Sequence, residues 1–286
     1  MSVAELRPLS LGELLDRTFS LYRSHFWLFV GIMAVPYLLS LAVGLAGVTM
    51  RGVGQQATRP GTPAGAAGPG AAAGVLLIVI FAVVVLASYL LAQAATVFAV
   101  SEIYLGRPAS IRQSYARVRG KLGRLIAVFL MIGLAVIGGM ILLIVPGILA
   151  LLATALAVPA AVLENRTARA ALSRSVELTK GNRGRISVIF SLVLLLSWVA
   201  ALVFELPFSV AHAILLKQGQ DSSILAAFSQ VGNFLAGVLV GPLGTIALAL
   251  VYYDVRVRKE AFDLQMMMAA LDSAAPPGIP PAVTGA

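Results

Sequence analysis

Six stretches of this 286-residue chain are too long and too apolar to form the cores of water-soluble domains. They run Phe26–Val48, Ala73–Phe98, Leu125–Ile144, Ile148–Leu163, Ile186–Phe204 and Val231–Tyr253. An apolar run of about 20 residues crosses a hydrocarbon layer roughly 30 Å thick when it is helical. Lipid offers no partner for backbone N–H and C=O groups, so each run is read as a helix. Composition agrees: 59% of residues are hydrophobic and 12% charged, where soluble domains carry about 25% charged residues. The third and fourth runs meet at "VPG", Val145–Gly147, which predicts a tight helical hairpin turning on those residues. A re-entrant pair is the competing reading.

Sidedness follows from the cations in the short loops. Lys and Arg number 18 on the side that holds the N-terminus, the loops after runs two and four, and the segment after run six. The opposite side has 3, namely Arg51, Arg59 and Lys217. Both termini are therefore expected in the cytoplasm. The first 24 residues hold Glu5, Arg7, Glu13, Asp16, Arg17 and Arg23 and no apolar core, so no cleavable signal peptide is expected. The net charge of +9 is spread over clusters at the ends of the runs, without interleaved aromatic platforms. It points to membrane headgroups and topology, with no nucleic-acid partner. With no cysteine, disulfides, thiolate metal sites and thiol nucleophiles are excluded.

An amphipathic phrase is written three times, each time ahead of an apolar pair. "LDRTFSLYRSH" (15–25) and "LSRSVELTKGN" (172–182) align residue by residue, and "SIRQSYARVRG" (110–120) is a third version. Ser10 with Glu13 forms a capping box, Ser110 with Gln113 a second, and Thr167 opens the third copy without one. The predicted apolar faces are Leu11, Leu14, Leu15, Thr18, Phe19 and Tyr22; then Ile111, Tyr115, Val118 and Leu122; then Ala168, Ala171, Leu172, Val176 and Thr179. Arg17, Arg117 and Arg174 each lie seven residues after the cap. Copies two and three close on G-x-x-G-R-[LI], where Gly120 and Gly181 are expected to end their helices in the left-handed conformation.

The expected fold is thus an all-α integral membrane protein, with six transmembrane helices in three parallel repeats. Each repeat is an amphipathic interfacial helix followed by a helical pair. Residues 1–25 form a cytoplasmic segment with the first amphipathic helix, 26–254 the six-span domain, and 255–286 a cytoplasmic extension with a disordered tail. The "QQATRPGTPAGAAGPGAAAG" segment, 55–74, reads as a flexible outer connector, and 207–230 as a mixed segment with an outer interfacial helix. In the inner interface the amphipathic helices would turn cations toward anionic headgroups. Candidate lipid contacts are Arg17, Arg23, Arg117, Arg124, Arg174, Lys180 and Arg185. The alternative is that these helices only pack on the spans.

Reactive constellations are sparse. No run holds an ionisable residue near its middle; Glu102, Glu164, Glu205 and Asp254 fall at run ends, which argues against an ion-coupled pump. Ser88, Gln93 and Thr96 in the second run are read as helix–helix hydrogen-bonding groups. Gly237 and Gly241 form a GxxxG read as close helix packing, and Pro36 and Pro159 as kinks. His25 and His212 lie on opposite sides, and there is no Walker A loop and no HExxH. No catalytic residue, metal ligand or cofactor is assigned.

Four phrases, "LRPLSLGELLDRTFSLYRSHF", "YLGRPASIRQSYARVRG", "AVPAAVLENRTARAALSRSVELTKGN" and "VYYDVRVRKEAFDL", resemble the bacterial glycerophosphoryl diester phosphodiesterase membrane-domain family across residues 6–264. The resemblance implies a multi-pass protein of the bacterial cytoplasmic membrane. It supplies no catalytic residues to place on this sequence. The soluble phosphodiesterase barrel that such a region precedes in some proteins is not expected here. The first function expected is non-enzymatic: the organisation of lipid, or of a membrane protein partner, through the basic interfacial helices. A transporter or channel for a lipid-like or small solute is the alternative. An enzyme acting on phosphodiesters rests on the family label alone.

Overall fold

The computed structural model describes residues 9–57, 69–220 and 222–260, and all of their regular structure is helical. Eleven α-helices follow in order: α1 Leu11–Ser24, α2 Phe26–Ala57, α3 Pro69–Tyr104, α4 Ile111–Val118, α5 Leu122–Leu142, α6 Ile144–Thr154, α7 Ala157–Leu163, α8 Ala168–Thr179, α9 Arg183–Phe204, α10 Leu206–Lys217 and α11 Ser223–Glu260. A 3-10 turn, Arg119–Lys121, links α4 to α5. Six stretches are long and apolar enough to cross a membrane, with α6 and α7 together making the fourth. That matches the six runs of the sequence and is compatible with a multi-pass membrane protein. The connector 55–74 is helical at both ends, and its residues 58–68, like the tail from Ser273, lie outside the described residues.

Helix α11 is the axis of the bundle. Its most apolar stretch is 56% buried, against 11% for the span that contains α5. In lipid, apolar burial gives no net drive between helices, so contact depends on small residues and hydrogen bonds. Both appear around α11. Ala92, Ala94, Ala95 and Ala99 of α3 are fully buried, and the Thr245 hydroxyl of α11 donates to Gln93 Oε1 of α3. Gln93 in turn donates to the Tyr89 hydroxyl at 2.8 Å. Ser88 and Thr96 donate instead to carbonyls of their own helix. Gly237 and Gly241 face α2, where the Tyr37 ring occupies the space a Cβ on Gly237 would need.

Spans three and four do form a hairpin, but its turn is not at "VPG". Helix α5 ends at Leu142, Leu143 is extended (φ −168°, ψ 156°), and α6 starts at Ile144. Pro146 therefore sits in the first turn of α6, where its missing N–H breaks no helical bond. The arms touch backbone to backbone: a Cβ on Gly139 would stand 2.9 Å from both N and Cα of Gly147. Ile141, Leu142, Leu143, Ile144 and Val145 at the tip are between 65% and 82% exposed, a surface suited to hydrocarbon rather than to water.

The prolines also behave differently from one another. Pro36 and Pro242 lie inside continuous helices α2 and α11. The fourth span instead breaks at Ala155–Leu156, ahead of Pro159, which falls in the first turn of α7. Gly181 adopts the expected left-handed conformation (φ 82°), whereas Gly120 stays inside the 3-10 turn.

Candidate functional site: a collar keyed into broken spans

Helices α1, α4 and α8 gather at one end of the bundle. Ser10 and Glu13 complete a reciprocal capping box, with Ser10 N–H donating to Glu13 Oε2 at 2.7 Å and Glu13 N–H to Ser10 Oγ at 3.2 Å. Ser110 accepts from Gln113 N–H at 3.3 Å, and Thr167 caps α8 without a side-chain bond. The buried positions repeat with the caps. Leu14, Ser114 and Ala171, each four residues after a cap, are fully buried, and so are Val118 and Ser175 eight residues after theirs; Thr18, at the same place in α1, is 3% exposed. Most of the expected face residues are inside, among them Leu14, Thr18, Val118, Ala171 and Thr179, with Leu15, Tyr22, Tyr115 and Leu172 packed against the core. Phe19 and Ile111 are exposed instead, and Ser114 and Ser175 join the inner faces.

Hydroxyls on all three helices reach backbone carbonyls of the spans. In a helix each carbonyl accepts from the N–H four residues on, so Pro36 leaves the Ile32 carbonyl without its donor. The Tyr115 hydroxyl of α4 donates to that carbonyl at 2.7 Å. The Ser175 hydroxyl of α8 donates to the Ala153 carbonyl at 2.8 Å and accepts from Leu156 N–H at 3.1 Å, closing both sides of the break in span four. The Tyr22 hydroxyl of α1 donates to the Leu239 carbonyl at 2.9 Å, one residue past the Val238 carbonyl that Pro242 deprives. Burial pushes the Tyr22 phenol up to about 12, so it remains a donor at neutral pH. Each of the three helices thus brings at least one hydroxyl to a proline-bearing span.

Helix α1 does not lie across the end of the bundle. Leu9 meets Asp254, Leu15 and Thr18 share a groove with Ala247 and Leu243, and Tyr22 reaches Leu239. It therefore runs antiparallel to the final part of α11 over about 20 Å.

Two ionic clusters lock the same end. In the first, Asp254 is buried and accepts from Arg185 at 2.7 Å, Arg258 at 3.0 Å and Leu9 N–H at 2.6 Å. Arg185 and Arg258 also donate to the Leu9 carbonyl at 2.7 and 2.5 Å. The Leu9 peptide is thereby held by both of its polar groups. In the second, Glu164 accepts from the Tyr252 hydroxyl at 2.7 Å, from Arg174 at 3.1 Å and from Arg166. Arg174 also pairs with Glu260, which accepts from Arg256 at 2.9 Å. Burial alone would raise the Glu164 carboxyl, but the bonds from Tyr252, Arg174 and Arg166, with the Arg174 charge, hold it below the usual carboxylate range.

The seven candidate lipid contacts fall into separate settings. Arg174 and Arg185 belong to these clusters. Arg124 donates to the Arg166 carbonyl at 3.2 Å and to Asn165 Oδ1 at 2.8 Å. Arg17 lies over the Tyr104 ring at 5.7 Å. The Lys180 side chain is exposed and its carbonyl accepts from Lys259 at 2.8 Å. Arg23 is exposed in the last turn of α1, and Arg117 is exposed over the Phe98 ring at 5.8 Å. Arg112 and Arg119, which were not among the candidates, are exposed beside Arg117. None of these three forms an ion pair among the described residues, and no Asp or Glu occurs between Glu102 and Glu164. That run free of acids was the signal available to find them. The hydroxyl keys had no comparable signal, because a tyrosine 83 residues from Ile32 gives no local hint of its acceptor.

Comparison of the chain with protein families, curated proteins and solved structures finds no match.

Proposed function

We propose that this chain is a non-enzymatic multi-pass protein of a bacterial cytoplasmic membrane, which organises lipid or a partner protein through its basic collar. Helix α4 and its 3-10 extension supply the main contact with anionic headgroups. The observation that carries this reading is the acid-free, exposed trio Arg112, Arg117 and Arg119, held in place by the buried Ser114 and Val118. Each such cation contributes about 1 kcal/mol near an anionic surface. The cation bias places the collar and both termini in the cytoplasm. The shared burial after the three caps supports reading three parallel repeats. Membership of the glycerophosphoryl diester phosphodiesterase membrane-domain family is part of this proposal, and phosphodiesterase activity is not. For transport, the natural candidates for a polar path, Gln93 and Thr245, are bonded to each other.

The test is native mass spectrometry of the full chain, purified gently and offered equal phosphatidylglycerol and phosphatidylcholine. Preferential retention of the anionic lipid, reduced in an Arg112→Gln/Arg117→Gln/Arg119→Gln variant that folds normally, is the expected result. Equal retention of both lipids by the unaltered protein would sink the proposal. Single cysteines at Ser110, Ser173 and Gln218 report sidedness on intact cells, with only the last expected to react with an impermeant maleimide.

A further inference from the structure

One groove on the bundle lies outside the α4 contact. It runs between α1, α9 and α11, with Leu15 and Phe19 on one wall, Ile189, Val193 and Leu196 on another and Leu243 in the floor. Its single hydroxyl is turned away, since Thr18 donates to the Leu14 carbonyl of its own helix at 2.8 Å. The groove therefore presents carbon along its length.

What lies above the groove gives it a direction. Arg185 stands on α9 one turn before Ile189, and Asp254 on α11 stands two turns beyond Ala247, which also lines the groove. These residues belong to the cluster that clamps Leu9. Among the described residues the cluster holds Arg185, Arg258 and one carboxylate, a formal charge of +1. The side chain of Arg258 is 37% exposed and that of Arg185 24% exposed. A guanidinium has five N–H donors, and the bonds to Asp254 and to the Leu9 carbonyl leave each arginine further donors for an outside acceptor. An apolar slot beneath a cationic mouth matches a molecule with a hydrocarbon chain below an anionic group.

We propose that this groove seats a segment of one acyl chain of an anionic phospholipid from the collar-side leaflet, its phosphate meeting Arg258 and Arg185. The inference rests on the lipid-organising reading above and adds a second, separate site to it. The lipid covers the flank of α1 between the Leu9 clamp and Tyr22. Its loss bares that flank and frees the outer donors of Arg258 and Arg185, while their bonds to Asp254 stay in place.

Native mass spectrometry with phosphatidylglycerol, phosphatidylcholine and oleate as probes tests the assignment on three forms of the full chain. Leu196→Trp fills the groove. Leu195→Trp, on the neighbouring face of α9 and 60% exposed, adds the same bulk outside it. Removing about two methylenes of contact corresponds to roughly a tenfold loss of affinity. One tightly retained phosphatidylglycerol, weakened about tenfold by Leu196→Trp and unchanged by Leu195→Trp, is the expected result. Equal retention in both tryptophan variants overturns the groove, and if the α4 variant still loses anionic lipid the proposed function stands without it. Selective retention of oleate would make the ligand a fatty acid and overturn the assignment to phospholipid.

Discussion

The Tyr115 hydroxyl donates to the Ile32 carbonyl at 2.7 Å, and this is the carbonyl that Pro36 leaves without a helical donor. A residue of the collar thereby repairs a defect in the first span. Losing the bond strands a carbonyl in apolar surroundings, which costs about 1–2 kcal/mol. Tyr115→Phe should lower stability by that amount in detergent unfolding. In a Pro36→Ala background the same change should cost almost nothing, because the alanine restores the backbone N–H that the Ile32 carbonyl lacks. An equal cost in both backgrounds would mean that the hydroxyl is incidental.

Ser175 serves two backbone groups, the Ala153 carbonyl and Leu156 N–H. Thr179 also donates to the Ala153 carbonyl, at 3.3 Å, so removal of Ser175 chiefly strands the N–H. Ser175→Ala should cost about 2–3 kcal/mol. Hydrogen exchange should quicken at Leu156 before it does in α5 or α11. Uniform acceleration across the bundle would contradict a local role.

Glu164 gives the collar an acid-sensitive joint. Its folded-state pKa is lowered, so its contribution is complete above the carboxylate's unfolded pKa and fades as pH falls through the folded value. Thermal stability in detergent should drop as pH falls below the ordinary glutamate value of about 4.3. Glu164→Gln should begin about 1–3 kcal/mol lower at neutral pH and show a shallower drop. Parallel pH profiles for the two proteins would assign the acid sensitivity elsewhere.

Contact at the α5–α6 hairpin depends on the absence of a side chain at Gly139, where a Cβ would lie 2.9 Å from Gly147 N. Gly139→Val should cost about 1–3 kcal/mol through overpacking and should separate the arms. A cysteine pair placed across the hairpin, at Gly138 and Ile148, should cross-link less readily in that variant. Unchanged cross-linking would place the close approach elsewhere.

The helical class, the six spans, the caps at Ser10, Ser110 and Thr167 and the clustering of cations could all be read from the chain. Each depends on neighbours within a few turns: the length of an apolar run, a cap beside its helix, charges beside a span. The inward placement of Ser175, the turn at Leu143 rather than at "VPG", and the break before Pro159 could not be read that way. They follow from bonds and contacts that cross between helices, such as Ser175 to Ala153 and Gly139 against Gly147. The arginines divide on the same principle. Arg112, Arg117 and Arg119 stay outside because no carboxylate lies near them in sequence, a local fact. Arg174 and Arg185 are drawn inward because folding brings Glu260 and Asp254 to them. Sequence alone determined which segments suit lipid and which suit its charged edge. Tertiary structure decided which polar groups are satisfied inside the protein and which are left to meet the membrane, because in an apolar medium every backbone group freed by a proline or a turn needs a partner that only a neighbouring helix can bring.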